Sequence, residues 1–64
     1  LIALAVAVTT RCESCIGVHA EEAVRAGATE DEVAAALAMS IALNAGAAYT
    51  YSLRALEAYN TQKA

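Results

Sequence analysis

The sequence predicts a small all-α domain, a bundle of about four helices built to oligomerise. Proline is absent, and helix start and stop signals separate segments whose apolar residues recur at helical spacing. Only residues 5–8 alternate as a strand would, and no second strand-like segment exists with which they could pair. We therefore assign the whole chain to helices and their connections.

The first helix is expected over residues 1–10. It begins without an N-cap or a preceding turn, as though Leu1 lay inside a longer helix. Thr9, Thr10 and Arg11 predict the break before the next helix. We expect a hydroxyl of Thr9 or Thr10 to cap that helix, because a threonine oxygen can accept from its unpaired N–H groups.

The second helix is predicted from Cys12 to Ala26, and Gly27 suits the left-handed position just past its end. Glu21 and Arg25 are four residues apart, in the order that favours an ion pair on a helix surface. We interpret this pair as part of a solvated face.

The third helix has the clearest start, a capping box in which Thr29 is the N-cap and Glu32 lies three positions on. An apolar stripe follows from Val33 to Ile41. Asn44 to Gly46 then predicts a break or kink, since asparagine and glycine tolerate a left-handed backbone. A last helix with a stripe from Tyr49 to Leu56 would follow. The alternative is one unbroken helix of about 30 residues.

Apolar residues make up 59% of the 64-residue chain and the mean hydropathy is +0.47, more than one small domain can bury. Leu1 to Val8 is too short to span a membrane, and polar residues and Gly46 interrupt the longer apolar region from Val33 to Tyr51. We therefore expect no membrane partner, and helices that pack against other copies of the chain or against parts of the protein outside this sequence.

The net charge of −3 argues against a nucleic-acid partner, because phosphate binding needs a basic patch and the four basic residues are scattered. The first residues lack the charged segment of a secretory signal peptide. A cytoplasmic location is therefore expected.

The most informative pattern consists of two thiols and an imidazole, those of Cys12, Cys15 and His19. On a helical wheel, Cys15 lies about 60° from Cys12 and His19 about 20° from Cys12. All three side chains would then face one small molecule.

Three interpretations of this pattern are open from the residues alone. The three side chains could pack in a core and share a face by chance. They could bind zinc, although the chain has no further cysteine or histidine to supply the fourth ligand. They could perform redox chemistry, since a Cys-x-x-Cys pair at a helix N-terminus has a stabilised thiolate and a second thiol that can close a disulfide, with His19 as proton carrier. A thioredoxin-like fold would need a βαβ context that is missing.

The Cys-x-x-Cys-x-x-x-His pattern of residues 12–19, with Glu22, Gly27, the cap at residues 29–32 and the break at residues 44–46, resembles the alkylhydroperoxidase AhpD-like core of the carboxymuconolactone decarboxylase family. The similarity covers nearly the whole chain. It implies that residues 1–64 form a single AhpD-like helical domain lacking its N-terminal part. It also implies assembly into trimers or hexamers and the reduction of hydrogen peroxide or organic hydroperoxides.

By the same resemblance, Cys15 is the peroxidatic thiol, Cys12 closes the disulfide and receives reducing equivalents, and His19 relays the proton. In the best-known members the electrons come from a dihydrolipoyl protein, and no haem, flavin or metal cofactor is implied. The family's glutamate before the first cysteine would precede Leu1, and this chain has Glu13-Ser14 where some members carry a second histidine. The alternative function is a non-catalytic helical oligomer with a structural or redox-switch cysteine pair.

Overall fold

The computed structural model describes residues 1–63, which form three α-helices and no strand. Helix α1 spans Ile2–Thr10, α2 spans Glu13–Arg25 and α3 spans Glu30–Lys63. The all-α prediction is confirmed. The predicted break at residues 44–46, and with it the separate fourth helix, is wrong because α3 passes through this point without interruption.

Helix α3 continues there because both residues that predicted a break fit the helical backbone. The amide of Asn44 donates to the carbonyl of Ser40 at 2.8 Å and to the hydroxyl of Thr9 in α1 at 3.2 Å. Its side chain is therefore satisfied without leaving the helix. Among the described residues, the glycine with a positive φ is Gly27 and not Gly46.

A tight turn joins α1 to α2. Arg11 adopts the left-handed conformation (φ 56°, ψ 41°), and its N–H donates to the carbonyl of Val8 while that of Cys12 donates to Ala7. This pair of bonds closes α1 in the manner of a Schellman motif, although glycine is the usual residue at such a position. The left-handed Arg11 therefore sets the direction in which the chain enters α2.

The predicted capping of α2 by Thr9 or Thr10 is wrong. The Thr9 hydroxyl donates to the carbonyl of Ala5 at 3.1 Å, and that of Thr10 donates to Ala7 at 3.2 Å. Both hydroxyls thus bond back into α1, as threonines inside a helix often do.

The turn between α2 and α3 agrees with the sequence. Gly27 has φ 80°, and the reciprocal bonds of the capping box are both present. The N–H of Thr29 donates to the Glu32 carboxylate at 2.8 Å, and the N–H of Glu32 donates to the Thr29 hydroxyl at 3.1 Å.

Helix α1 is the centre of the packing, because it contacts both α2 and α3. The buried apolar side chains are Leu4 and Ala7 of α1 and Ala23 of α2. Ser40 of α3 is 4% exposed and donates its hydroxyl proton to the carbonyl of Ala5 at 2.9 Å. This small contact region holds α2 in place.

The second half of α3 extends away from this region. The molecule is 57 Å long, and its radius of gyration of 16.6 Å exceeds the roughly 11 Å of a compact chain of this length. Residues 41–63 are all exposed. By length and composition alone, α3 could cross a membrane, a criterion that core helices of soluble proteins also meet. The expected absence of a membrane partner stays a prediction.

Candidate redox site

Cys12 is the N-cap of α2. Its backbone is extended (φ −93°, ψ 100°), and its sulfur accepts a hydrogen bond from the N–H of Cys15 at 3.3 Å. Cys12 therefore precedes the helix instead of lying on its face, where the helical wheel placed it. Its sulfur thus accepts from one N–H group of the first turn, a position that favours a negatively charged partner.

Cys12 and Cys15 form a disulfide, with their Cα atoms 5.2 Å apart, inside the usual range for such bonds. Both residues are half-buried, and the described residues contain no free cysteine. The prediction that these two cysteines lie close enough to form a disulfide is thus confirmed.

Ser14, inside the Cys-x-x-Cys segment, contacts the same sulfur. Its Oγ lies 3.6 Å from the sulfur of Cys12, and in the disulfide the hydroxyl must be the donor, since the bonded sulfur carries no proton. After reduction, a Cys12 thiolate would accept from both this hydroxyl and the N–H of Cys15. The spacing alone gave no sign of this contact, because a serine in a cysteine motif is compatible with many orientations.

His19 lies on α2 one turn beyond Cys15, a spacing that puts Cβ atoms about 5–6 Å apart. Its Nδ1 is 2.5 Å from Oε1 of Glu22. The two side chains line a recess of about 220 Å³ together with Leu4 of α1 and Ala23 of α2. The cysteines do not line this recess. His19 therefore lies between the N-terminal end of α2, which holds the disulfide, and the recess against α1.

Glu22 is the residue that sequence reasoning missed as a partner of His19. Its signal was the acidic residue three positions after a histidine, a spacing at which helical side chains are neighbours. Glu21, the adjacent acid, pairs with Arg25 at 2.6 Å on an exposed face, as predicted. The two neighbouring glutamates thus have different partners.

Within the described part of the chain, no three His, Cys, Asp or Glu side chains are grouped to hold a metal ion. The donor set of a structural zinc site is therefore not assembled within residues 1–63. The chemistry available to these residues is that of two sulfur atoms, a hydroxyl and an imidazole with a carboxylate partner.

The sequence model of the carboxymuconolactone decarboxylase family matches residues 1–58. The chain belongs to this family. Its Cys-x-x-Cys pair and its all-α fold agree with the resemblance drawn from the sequence.

Three curated relatives of this carboxymuconolactone decarboxylase family chain are uncharacterised bacterial proteins. A protein of Haemophilus influenzae is 86% identical over 64 residues, which are 100% of this chain and 57% of the relative. Uncharacterised protein 4 in the cox locus of Paracoccus denitrificans is 43% identical over 56 residues, 88% of this chain and 50% of its own length. A protein of Cupriavidus necator is 34% identical over 64 residues, 100% of this chain and 57% of the relative. The chain spans about half the length of these relatives.

Proposed function

We propose that this chain supplies the redox centre of a thiol-dependent peroxidase that reduces hydrogen peroxide or an organic hydroperoxide. The observation that carries the proposal is the Cys12–Cys15 disulfide at the N-terminus of α2, one turn before His19. Membership of the carboxymuconolactone decarboxylase family supports it, because the AhpD-like members that this chain resembles perform this reaction. Cys15 is the proposed nucleophile.

In the first step, His19 takes the proton of the Cys15 thiol. The resulting thiolate attacks one oxygen of the peroxide, and the O–O bond breaks. The departing oxygen takes the proton from His19 and leaves as water or an alcohol. The sulfur of Cys15 is oxidised by two electrons to a sulfenic acid, and the peroxide is reduced by the same two electrons.

In the second step, the Cys12 thiolate attacks the sulfur of the Cys15 sulfenic acid. The S–O bond breaks, hydroxide leaves as water after gaining a proton, and the disulfide forms. The contacts of the Cys12 sulfur with the Cys15 N–H and the Ser14 hydroxyl support this role, because they hold a thiolate next to its target. The Cα separation of 5.2 Å needs no backbone movement.

An external dithiol then reduces the Cys12–Cys15 disulfide by thiol–disulfide exchange. The two thiols of the donor are oxidised in this step and form a disulfide within the donor. A dihydrolipoyl protein is the proposed donor, by resemblance to the family. The proposed location is the cytoplasm, because reducing systems there keep such a pair in use. We propose no nucleic-acid or membrane partner.

Thiol titration of the reduced protein tests the cycle. One equivalent of peroxide is expected to remove both thiols of the chain, whereas a structural cysteine pair would lose none. Cys15→Ser should abolish peroxide consumption. Cys12→Ser should consume a single equivalent and then stop, with a sulfenic acid on Cys15 that dimedone traps. Unchanged peroxide consumption by Cys15→Ser would overturn the proposal.

We also propose that copies of the chain associate, in trimers or hexamers by resemblance to the family. The accessible surface of 5184 Å² is about 1,300 Å² larger than expected for a compact monomer of 6.6 kDa. This excess of one chain is larger than the roughly 800 Å² that each partner buries in a stable interface of standard size. Much of it is apolar, since large side chains such as Met39, Leu43 and Leu56 are more than half exposed.

Sedimentation velocity at micromolar concentration tests this association. We expect a species several times the mass of one chain. A folded monomer under these conditions would contradict the proposal and would leave the excess surface to other segments of the protein.

A further inference from the structure

The carboxylate of Glu22 fixes which nitrogen of His19 carries a proton. Nδ1 of His19 lies 2.5 Å from Oε1 of Glu22. An ionised carboxylate can only accept, so this hydrogen bond requires the proton to be on Nδ1. In the neutral imidazole, the other nitrogen, Nε2, then keeps its lone pair.

A lone pair on Nε2 is what the proposed first step needs. To take the proton of Cys15, His19 must present an unprotonated nitrogen toward the thiol. The opposite tautomer would offer an N–H on Nε2, which can only donate. Once Nε2 has taken the proton, the Glu22 carboxylate faces a positively charged ring.

The ring of His19 is partly shielded from solvent. The side chain of His19 is 34% exposed, and its recess is shared with Leu4 and Ala23, both of which are buried. The imidazole therefore lines a partly apolar recess, and its hydrogen-bond partner is Glu22. Glu22 itself is 63% exposed, and ion pairs this exposed add little to stability. Its contact with His19 is therefore better suited to orienting the ring than to stabilising the fold.

We propose that Glu22 is a positioning residue for His19, holding the imidazole in the Nδ1–H tautomer so that Nε2 can exchange a proton with Cys15. The inference rests on the proposed function for its catalytic consequence. The tautomer itself is a property of α2 and can be measured without any turnover.

The chain offers a matched control in Glu21. It lies on the same helix, carries the same charge, and has the same 63% exposure, but it pairs with Arg25. Glu21→Ala and Glu22→Ala change the charge of the protein equally. Only the second removes the acceptor of the His19 proton.

Nitrogen-15 NMR of the single histidine ring in the reduced protein tests the tautomer directly. We expect the Nδ1–H form to predominate in the wild-type protein and in Glu21→Ala, and the Nε2–H form to gain population in Glu22→Ala. Glu22→Gln should retain the Nδ1–H form, because its amide oxygen can also accept. Equal tautomer populations in the wild-type protein and Glu22→Ala would overturn the inference.

The catalytic consequence is measured as the rate at which peroxide oxidises Cys15. We expect a fall of about tenfold in Glu22→Ala, a part of the roughly 10²–10⁴-fold that a positioned proton carrier contributes, with recovery of most of the rate in Glu22→Gln and no change in Glu21→Ala. A tautomer change without any loss of rate would overturn the positioning role. If Cys15→Ser still consumes peroxide, the proposed function fails, and the NMR measurement still decides the tautomer.

Discussion

The backbone N–H of Cys15 donates a hydrogen bond to the sulfur of Cys12 at 3.3 Å, so the cap of α2 and the disulfide involve the same two residues. Reduction of the disulfide breaks the S–S bond but leaves the Cys12 sulfur able to accept from the helix. The start of α2 can therefore persist in both oxidation states. The reduced pair would remain close enough to re-form its bond.

Ser14→Ala is expected to make Cys12 less reactive. Loss of the Ser14 hydroxyl removes one of two hydrogen bonds to the Cys12 thiolate, a change of about 1 kcal/mol or roughly fivefold in the thiolate population. The measurement is the rate of iodoacetamide alkylation of Cys12 at neutral pH in a Cys15→Ala background. Ser52→Ala is the control, since this exposed serine donates to the carbonyl of Ala48 in α3. Equal rates in the Ser14 and Ser52 variants would show that the hydroxyl does not act on the sulfur.

Gly46→Ala is expected to stabilise the protein by about 0.5–1 kcal/mol, because alanine favours the helix interior and glycine does not. A Cβ at Gly46 would meet no atom within 4 Å. Gly27→Ala has the opposite expectation, a loss of about 1 kcal/mol, because Gly27 has φ 80°. Urea unfolding at one fixed protein concentration measures both.

These two glycines also test the continuity of α3. If Gly46→Ala destabilised the protein as much as Gly27→Ala does, at a concentration too low for copies to associate, an unbroken α3 at Gly46 would be contradicted.

Ser40→Ala is expected to cost about 1 kcal/mol, because the buried hydroxyl of Ser40 links α3 to the carbonyl of Ala5 in α1. Thr50→Ala is the control: its exposed hydroxyl donates to Gly46 within α3 and joins no second helix. The stability of each variant is measured as the denaturant concentration at the midpoint of unfolding, and the variants are compared at equal m-values. A cost for Thr50→Ala as large as that for Ser40→Ala would argue against the contact between helices.

Thr29→Ala is expected to cost about 1 kcal/mol through loss of the N-cap of α3, which for a chain this small corresponds to a fall of about 4–8 °C in Tm. Circular dichroism during heating measures it. Thr61→Ala, near the other end of α3, removes a hydroxyl that bonds only to Glu57 of the same helix. The Tm of Thr61→Ala should stay within experimental error of the wild type. A fall as large as that of Thr29→Ala would show that the effect does not come from the N-cap.

Several features that depend on neighbours in sequence could be predicted, although the local contacts of Ser14 with Cys12 and of Glu22 with His19 were not. The capping box of Thr29 and Glu32, the left-handed Gly27 and the pair of Glu21 with Arg25 are confirmed, since each follows from local spacing. The all-α fold and the family follow from the same kind of pattern. The roles of Cys12, Cys15 and His19 in a reaction stay predictions.

Features that depend on contacts between helices could not be predicted. Asn44 remains helical because Thr9 of α1 accepts from its amide, and no pattern within α3 indicates that partner. Ser40 is buried although its residue type favours the surface, because the carbonyl of Ala5 lies opposite. The left-handed Arg11 was missed for a different, local reason, since it takes a backbone conformation for which glycine would be expected.

The exposed half of α3 would link folding of the chain to the association proposed above. Apart from the bond of Asn44 to Thr9, the exposed residues 41–63 are held by hydrogen bonds within one helix, whereas most of the stability of a protein helix comes from packing of its apolar face. Amide protons there should exchange with solvent much faster than those near Ser40 when the protein is dilute, and should slow as concentration rises. If copies of the chain associate as proposed, the length of ordered helix reports the extent of that association.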